Sequence, residues 1–550
     1  MEQTAPQNPI LKGFNPDPSI CRKGDDFYMM TSSFQWWPGL PIYHSQDLVN
    51  WNLIDYGLKE VRLADLKRVV CSGGIWAPSI TYSKQRDEFF MVYTIAGGDD
   101  EGFDHECYNY VSTAPSIHGP WSDPVYLNSR GNDPAAFHDD DGRVYIVVSD
   151  FIYEAGVAPH SGTLLQEYDP VAKKVIGPIQ NIFSGSGLGF VEGSKMFKNG
   201  DYYYLGVAEG GTNYGHAVTL VRSKKIWGPY ELHPDNPILT AVAEGYAHLM
   251  DERGNIKSPE AAKELADALS IQKAGHGDVV TLDENRVAMV YLASRPENLH
   301  SHLGRETCIA LGRWDADGWM RLNSSTPVVE LEDFQLPMAP QPEIPNRDDF
   351  DANELNLHWN SLRVPIDDLV DLSSKPGWLK LKPSTCPLYS LDKVSLLAQR
   401  IRHHRYRLET LVDFKPDQAQ QNAGLVCYYD SHRYYFLHRM LDPELGPCVA
   451  IGTKYHPRVK VPIRDVQTIR LAMECNGPEI HFSFAYEGED NWQAVGEPVD
   501  TYWLSDEGLQ RQGGPHSYFF TGAMMGLAAW DMTDVSSTPA FDYFDYKPRS

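Results

Sequence analysis

Five residues at nearly regular intervals could carry out acid–base chemistry together. Asp17, Trp76, Asp133, Glu192 and His276 are separated by 59, 57, 59 and 84 residues, and three of them are carboxylic acids. Like charges held close together push their pKa values apart. General acid–base catalysis needs one carboxyl group that keeps its proton and another that has lost it. Asp17, Asp133 and Glu192 are therefore candidate catalytic residues, provided that the fold brings these positions together.

Each of the five residues opens the same local pattern. A short alternating apolar run is followed by a turn rich in Asp, Asn or Gly and by a second run, as in Gly131-Asn-Asp-Pro-Ala-Ala-Phe-His-Asp-Asp-Asp-Gly-Arg-Val-Tyr145. This pattern is typical of a β-hairpin. The near-constant period indicates a repeat fold, and about four short strands per repeat indicate a propeller. The longer last interval contains Ser258 to Leu269, whose Ala, Glu and Leu content predicts an inserted helix.

The whole chain is predicted to be all-β, with two domains. Five repeats predict a five-bladed β-propeller over residues 1–328, whose inner strands start at one mouth of an axial channel. A proline-rich linker is expected at residues 329–346. Residues 347–550 contain separate alternating runs without the repeat, which fits a jelly-roll-like β-sandwich. We expect this second domain to help close the active-site pocket.

The charge balance excludes several classes of partner. The chain has 48 Lys and Arg against 74 Asp and Glu, a formal net charge of −26, which disfavours binding to nucleic acid or to an anionic membrane. The 8 cysteines form no Cys-x-x-Cys pair, so neither a zinc site nor a redox motif is indicated. The N-terminus shows no signal peptide, so we expect a cytoplasmic protein or, if this is a mature form, a secreted one. The sequence leaves a homo-oligomer open.

Other residues could bind a ligand at the channel mouth. Phe34 and Trp76 are candidates for a stacking surface. His276 is either a hydrogen-bonded core histidine or an axial residue that holds a water or an ion. Arg305 is either a surface strand residue or a cation that orders substrate hydroxyls and lowers the pKa of a neighbouring carboxylate.

The combination of motifs resembles glycoside hydrolase family 43, and most closely its β-xylosidases with a C-terminal sandwich. The residues that carry the resemblance cover nearly the whole chain: Asn8 to Ser19, Ser72-Gly-Gly-Ile-Trp-Ala-Pro78, Asp133, Glu192-Gly, Ala208 to Thr212, Gly275-His and Leu303 to Thr307. The resemblance implies a five-bladed propeller and an inverting mechanism.

The resemblance also implies individual roles. In it Asp17 is the general base, Glu192 is the general acid, and Asp133 tunes the pKa of the acid and orients it. Arg305 contacts the sugar, with His276 behind it on the axis. Phe519 or Phe520, from the sandwich, closes the pocket.

The chain departs from the family pattern at two places and leaves the substrate open. Ser194-Lys195 stands where the family usually has Pro-His, and Gly277-Asp278 follows the axial histidine. We expect an exo-acting enzyme that releases xylose from the non-reducing ends of β-1,4-xylo-oligosaccharides. The alternatives are an α-L-arabinofuranosidase or a bifunctional enzyme, a retaining fructosidase, and a non-catalytic carbohydrate-binding propeller. No cofactor is expected to be required, although a divalent cation such as Ca²⁺ near His276 is an open alternative.

Overall fold

Five antiparallel sheets in chain order make up the first part of the protein. The computed structural model describes residues 6–98, 106–151, 162–242, 248–249, 257–297, 300–455, 458–510, 520–533 and 537–549. Each of the five sheets has its first strand in chain order at one edge. These five first strands pack against one another in a closed ring. The sheets are therefore the blades of a five-bladed propeller around a central channel, as predicted.

The blades have the following strands. Blade 1 contains β1 (Ser19–Lys23), β2 (Asp26–Met30), β4 (Gly39–Ser45) and β5 (Asn52–Leu58), whereas β3 (Trp36–Trp37) leaves it. Blade 2 contains β6 (Gly74–Ser83), β7 (Glu88–Ala96), β8 (Cys107–Ala114) and β9 (Val125–Asn128). Blade 3 contains β10 (Ala135–His138), β11 (Val144–Ser149), β12 (Thr163–Asp169) and β13 (Lys174–Phe183). Blade 4 contains β14 (Glu192–Asn199), β15 (Tyr202–Glu209), β16 (Ala217–Ser223), β17 (Glu231–Leu232) and β18 (Leu239–Thr240). Blade 5 contains β19 (Gln272–Thr281), β20 (Arg286–Ser294), β21 (Glu306–Trp314) and β22 (Met320–Leu322).

The inserted helix is present between blades 4 and 5. Helix α1 (Pro259–Ala268) begins after Ser258, whose hydroxyl oxygen accepts a hydrogen bond from the backbone N–H of Ala261 at 3.2 Å. Ser is a favoured N-cap, and Pro in the first helical turn has no N–H to leave unsatisfied. These local signals explain why the sequence predicted this helix.

The N-terminal segment is hydrogen-bonded to blade 5. Leu11 and Thr307 exchange two backbone hydrogen bonds of 3.2 Å, and the backbone N–H of Asn15 donates to the carbonyl of Arg305 at 2.9 Å. The Asn8 side chain donates to the carbonyls of Ile309 and Val328. The start of blade 1 is therefore held against blade 5, next to the residues that form the site.

Two large antiparallel sheets form the second domain, the predicted sandwich. The first sheet joins β3 to β24 (Asn360–Leu362), β27 (Leu396–Arg400), β29 (Gln421–Tyr428), β30 (Tyr434–Asp442), β31 (Gly446–Gly452), β32 (Val459–Pro462) and β37 (Met524–Asp531). The second contains β23 (Arg347–Asp348), β25 (Val370–Asp371), β26 (Leu379–Leu381), β28 (Arg405–Asp413), β33 (Thr468–Asn476), β34 (Glu479–Ala485), β35 (Gln493–Ala494), β36 (Val499–Asp500), β38 (Ala540–Phe541) and β39 (Phe544–Pro548). Short 3₁₀ turns lie at Ile366–Asp368 and Thr501–Leu504, and helix α2 spans Asp506–Gln510.

The propeller and the sandwich share a sheet and a core. Strand β3, from the loop after β2, pairs with β24, so that Trp37 lies opposite Ser361. One buried apolar cluster contains Phe34 and Trp76 from the propeller together with Tyr428 and Trp530 from the sandwich. No element separates β22 from β23 between residues 323 and 346, and the predicted domain boundaries at 328 and 346 stay predictions. None of the helices among the described residues has the length and apolar character needed to cross a membrane.

Candidate active site

A residue with left-handed backbone lies on or just before the inner strand of every blade. The five φ angles are 54°, 34°, 56°, 57° and 52°, at Asp17, Ala77, Asp133, Gly193 and His276. Non-glycine residues seldom adopt this conformation, and such strain concentrates at functional sites. Strands β6, β14 and β19 also carry bulges at this level, as is common beside active sites. The fold thus repeats one backbone kink five times around the channel mouth.

This ring corrects the phase expected from the sequence. Asp17, Asp133 and His276 occupy the left-handed position itself, whereas Trp76 and Glu192 stand one residue before it. Trp76 and Glu192 are conspicuous in the sequence, but their backbone counterparts are the neighbouring Ala77 and Gly193. The five residues still lie at one channel mouth.

Asp17 is a buried carboxylate with donors on both oxygens. Its Oδ1 accepts from the Arg305 guanidinium at 2.9 Å, and its Oδ2 accepts from the Ser32 hydroxyl at 2.6 Å. The Nδ1 atom of His276 lies 3.6 Å from Oδ1. Burial acts to raise the pKa of Asp17, but Arg305 and the other groups around the carboxylate outweigh burial and hold that pKa below its ordinary value. Asp17 is therefore charged at neutral pH.

Glu192, in contrast to Asp17, has a raised pKa. Burial raises the pKa of Glu192 to about 8, and the negative charges of Asp133 and Asp17 add to the effect. Its carboxyl group makes no hydrogen bond to the described part of the chain, although the side chain is half-buried in the site. Glu192 is therefore a protonated acid at neutral pH whose proton is not committed to another protein group.

Asp133 interacts with both Asp17 and Glu192. Its Oδ1 accepts from the Asn132 side chain at 2.8 Å, and its Oδ2 accepts from the backbone N–H of Gly193, the residue after Glu192, at 2.9 Å. Burial raises the pKa of Asp133, Asp17 raises it further, and His276 opposes the rise. Asp133 thus fixes the backbone that carries Glu192.

His276 lies between these groups with almost no exposure. Its ring packs on Gly193, where an added Cβ would lie 2.9 Å from the ring, so only glycine admits the imidazole. Burial lowers the pKa of His276, which keeps the ring neutral despite its acidic neighbours. Its Nε2 is buried without a hydrogen-bond partner among the described residues. No set of three or more His, Cys, Asp and Glu suited to a metal occurs in the described ranges. The divalent cation near His276 stays a prediction.

Three aromatic rings form one wall. The Trp76 and Phe520 rings meet edge to face at 5.7 Å, and Phe34 lies 6.4 Å from Phe520 and 6.3 Å from Trp76. Arg305 lies 5.7 Å from both Phe34 and Phe520, and its second terminal nitrogen donates to the carbonyl of Phe520 at 2.7 Å. The sandwich therefore reaches the site through Phe520. Phe519 lies outside the described residues.

Sequence reasoning missed several residues of the site. The Ser32 hydroxyl donates to Asp17 and accepts from the backbone N–H of Ala77 at 2.7 Å, which ties blade 1 to blade 2. His216 packs on Gly275, and burial lowers its pKa to about 3. The side chain of the buried Lys195 reaches across the channel to the carbonyl oxygen of Pro78. A polar run, Thr31-Ser32-Ser33, directly after β2 was the one signal for Ser32 in the sequence.

Comparisons with known proteins match both parts of the chain to family models. Residues 6–320 match the model of glycosyl hydrolases family 43, and residues 347–547 match that of the beta xylosidase C-terminal concanavalin A-like domain. The chain is 37% identical to a xylan 1,3-beta-xylosidase of a Vibrio species, over 99% of both chains. It is also 37% identical to xylosidase/arabinosidase 43B of Humicola insolens, over 98% of this chain and 97% of that one.

A solved structure shares the whole architecture. The xylan beta-1,4-xylosidase from Bacillus halodurans superposes with a TM-score of 0.89 at 38% identity, covering 98% of this chain and 99% of the other. The matches favour a hydrolase over a carbohydrate-binding propeller without catalysis. The family model and the full-length relatives show that this chain belongs to glycoside hydrolase family 43 and is a glycoside hydrolase.

Proposed function

We propose that the protein is an exo-acting β-xylosidase that removes single xylose units from the non-reducing ends of xylo-oligosaccharides with inversion. The observation that carries the proposal is the contrast between two carboxyl groups at one channel mouth. Asp17 accepts from the Arg305 guanidinium at 2.9 Å and from the Ser32 hydroxyl at 2.6 Å, which favours its charged form, whereas burial raises the pKa of Glu192 to about 8. An inverting glycosidase needs a charged base and a protonated acid on opposite faces of the sugar. The names of the similar proteins support xylose as the sugar.

The reaction is a single displacement. Glu192 donates its proton to the glycosidic oxygen, which leaves as the hydroxyl of the departing sugar. Asp17 takes a proton from a water whose oxygen forms the new bond to C1, and the bond from C1 to the leaving oxygen breaks. The two carboxyl groups of an inverting pair are expected to stand about 6.5–9.5 Å apart, which leaves room for that water.

The other residues prepare these two for the reaction. Asp133 keeps the pKa of Glu192 raised by its charge and holds the backbone at Gly193. Arg305 keeps Asp17 charged and faces the sugar together with the aromatic wall. A pocket walled by Phe520 and backed by His276 admits a chain end, which favours exo action.

An α-L-arabinofuranosidase activity is the second candidate. One full-length relative is named a xylosidase/arabinosidase, which supports this second activity as a candidate. Initial rates on 4-nitrophenyl β-D-xylopyranoside and α-L-arabinofuranoside measure the balance between them. Rates on β-1,3- and β-1,4-linked xylobiose decide the linkage, because similar proteins carry both names.

Proton NMR of the first sugar released from β-1,4-xylobiose tests substrate and stereochemistry together. We expect the α-anomer signal of free xylose to grow first and the β signal to follow by mutarotation. Initial release of the β-anomer would overturn the inverting mechanism. No release from either xylobiose, with turnover of the arabinofuranoside, would overturn xylose as the sugar.

A further inference from the structure

The channel has a second level below the carboxylates. Two residues after the left-handed position, the five inner strands carry Ser19, Ser79, Ala135, Lys195 and Asp278. Three of these have small side chains, which leaves the charged pair to fill this level of the channel. Lys195 is only 4% exposed, although lysine is almost never fully buried unless it is paired.

Lys195 crosses the channel. It starts on β14 in blade 4, and its Nζ donates to the carbonyl oxygen of Pro78 in blade 2 at 3.0 Å. Blades 2 and 4 are not neighbours in the ring, so the side chain spans the axis. This is its one hydrogen bond within the described part of the chain, and an ammonium has three donors. No carboxylate of the described residues lies within 4 Å of the Nζ, so Lys195 is not one half of a local ion pair.

The carboxylate on the same level is held elsewhere. Oδ2 of Asp278 accepts from the Ser19 hydroxyl at 2.7 Å and from the backbone N–H of Ile20 at 3.0 Å. Its Oδ1 accepts from the N–H of Val279 at 2.8 Å. Asp278 therefore joins blade 5 to blade 1 and leaves the Lys195 ammonium free to act on the wider site.

The carboxylates around the channel outnumber the groups that can compensate their negative charge. Burial lowers the pKa of Lys195, and Asp278, Asp133 and Asp17 act in that order to raise it again. The further ionisable groups that face these carboxylates from the packed strands are Arg305, His276, His216, Glu192 and the thiols of Cys107 and Cys21, whose pKa values are raised by burial. Burial lowers the pKa of both histidines and raises that of Glu192, which leaves Arg305 and Lys195 as the groups of this set whose ordinary ionised form is a cation. Buried charges need such compensation.

We propose that the Lys195 ammonium is a built-in cation of the axial channel that keeps Asp133 and Asp17 charged and thereby sets the acid limb of the pH–activity profile. The inference rests on the proposed function, because it assigns work to the same carboxylates. Lys195 is a positioning residue, since it acts through Asp133 and Asp17 and from below them. It also gives a physical meaning to one departure of this chain from the family pattern, where a histidine is usual.

The test is the pH dependence of kcat/KM on 4-nitrophenyl β-D-xyloside for wild type and Lys195→Met, a variant of similar volume without the charge. We expect the acid limb to move upward by about one pH unit, so that activity on that limb falls about tenfold, because one pKa unit is a tenfold change. The alkaline limb, which belongs to Glu192, should stay in place. Lys198→Met is the matched control, because Lys198 lies on the same strand but pairs with Asp140 at 2.7 Å outside the channel. It should keep the wild-type profile.

Two more variants keep the proposal falsifiable if Lys195→Met folds poorly. Lys195→Arg retains the charge and should keep the acid limb of wild type even if activity drops. Asp278→Asn removes a negative charge, so it should move the acid limb downward. Its amide oxygen can still accept from the Ser19 hydroxyl and the Ile20 N–H, whereas the bond that Oδ1 accepts from the Val279 N–H is lost. An acid limb unchanged within about 0.3 unit in a folded Lys195→Met protein, or equal shifts in the Met and Arg variants, would overturn the proposal. A Glu192→Gln variant that keeps wild-type activity on β-1,4-xylobiose would instead overturn the proposed function.

Discussion

The guanidinium of Arg305 joins Asp17, the proposed catalytic base, to the second domain, because it donates to Asp17 at 2.9 Å and, through its other terminal nitrogen, to the carbonyl of Phe520 at 2.7 Å. Strand β21 begins at the next residue, so the bridge extends from the wall of blade 5. The charge of the base and the position of the sandwich loop are therefore set by the same side chain. Arg305 is nearly inaccessible to solvent, which strengthens both interactions.

The Arg305→Met variant, which lacks this bridge, is expected to turn over substrate more slowly even where it folds normally. In Arg305→Met the pKa of Asp17 should rise, because burial would no longer be opposed by the strongest nearby cation. We expect kcat/KM on an aryl xyloside to fall at least ~100-fold, the scale on which a lost positioning contact acts. Arg305→Lys, which keeps the charge without the two-armed bridge, should fall between wild type and the Met variant. Equal activity in Arg305→Met and wild type would remove Arg305 from the site.

The pH profile of the wild-type enzyme should be bell-shaped. Glu192 must be protonated, and its pKa is about 8, so activity should decline as pH rises through about 8. Asp17 must be charged, and its pKa is below the ordinary value, so the base alone allows activity well into the acid range. Asp133, whose pKa is raised by burial and by the charge of Asp17, should limit the acid side instead. Measured kcat/KM from pH 3 to 10 checks this, and an alkaline limb below pH 6 would contradict the protonated Glu192.

The close packing of His276 on Gly193 predicts a specific loss of function. Gly193→Ala places a Cβ 2.9 Å from the imidazole of His276 at φ +57°, so the ring must leave its present position. Gly200→Ala is the matched control, because Gly200 follows the same strand with φ +56° and open space around its Cβ position. Both variants should lose about 1 kcal/mol of stability from the left-handed backbone. Only Gly193→Ala should lose most of its activity, and comparable activity in the two would refute a role for this contact.

A buried ion pair holds the sandwich against the propeller near the site. The Nζ of Lys273, on β19, lies 2.6 Å from Glu507 and 3.8 Å from Asp506, both in helix α2. Lys273→Met should destabilise the protein by roughly 3–5 kcal/mol, because it leaves a buried carboxylate without its partner. The control Lys263→Met breaks an exposed pair with Asp267 on α1 and should change stability by less than about 1 kcal/mol. Thermal unfolding of both variants measures the contrast, which would disappear if the buried pair were not needed.

The fold could be predicted from the sequence because its signals are local. Hairpin patterns at a regular period gave the five blades, and the Ser258 cap with the Ala- and Glu-rich segment gave helix α1. The exchange of β3 into the sandwich sheet could not be predicted, because Trp36–Trp37 is too short to show a periodicity. Its pairing with β24 joins residues more than 300 positions apart in the chain.

The part of the candidate site that could be predicted consists of residues whose side chains are conspicuous in the sequence. Asp17, Asp133, Glu192, His276 and Arg305 do meet, but the true repeat position in blades 2 and 4 is Ala77 and Gly193, which carry no chemistry of their own. Ser32 and Lys195 were missed because their contacts, to Asp17 and to Pro78, join different parts of the chain. Such contacts depend on how the blades close and leave no local pattern.

Leaving-group dependence is the measurement that tests the assigned roles of Asp17 and Glu192 most directly. A 2,4-dinitrophenyl xyloside needs no proton on its leaving oxygen, whereas xylobiose does. Glu192→Gln should therefore lose about 10²–10⁴-fold in kcat on xylobiose, the range of general acid catalysis, and less than ~10-fold on the activated xyloside. Asp17→Asn should lose activity on both, because both need an activated water. If Asp17→Asn kept its activity on the activated xyloside while Glu192→Gln lost it, the assignment of acid and base would be contradicted.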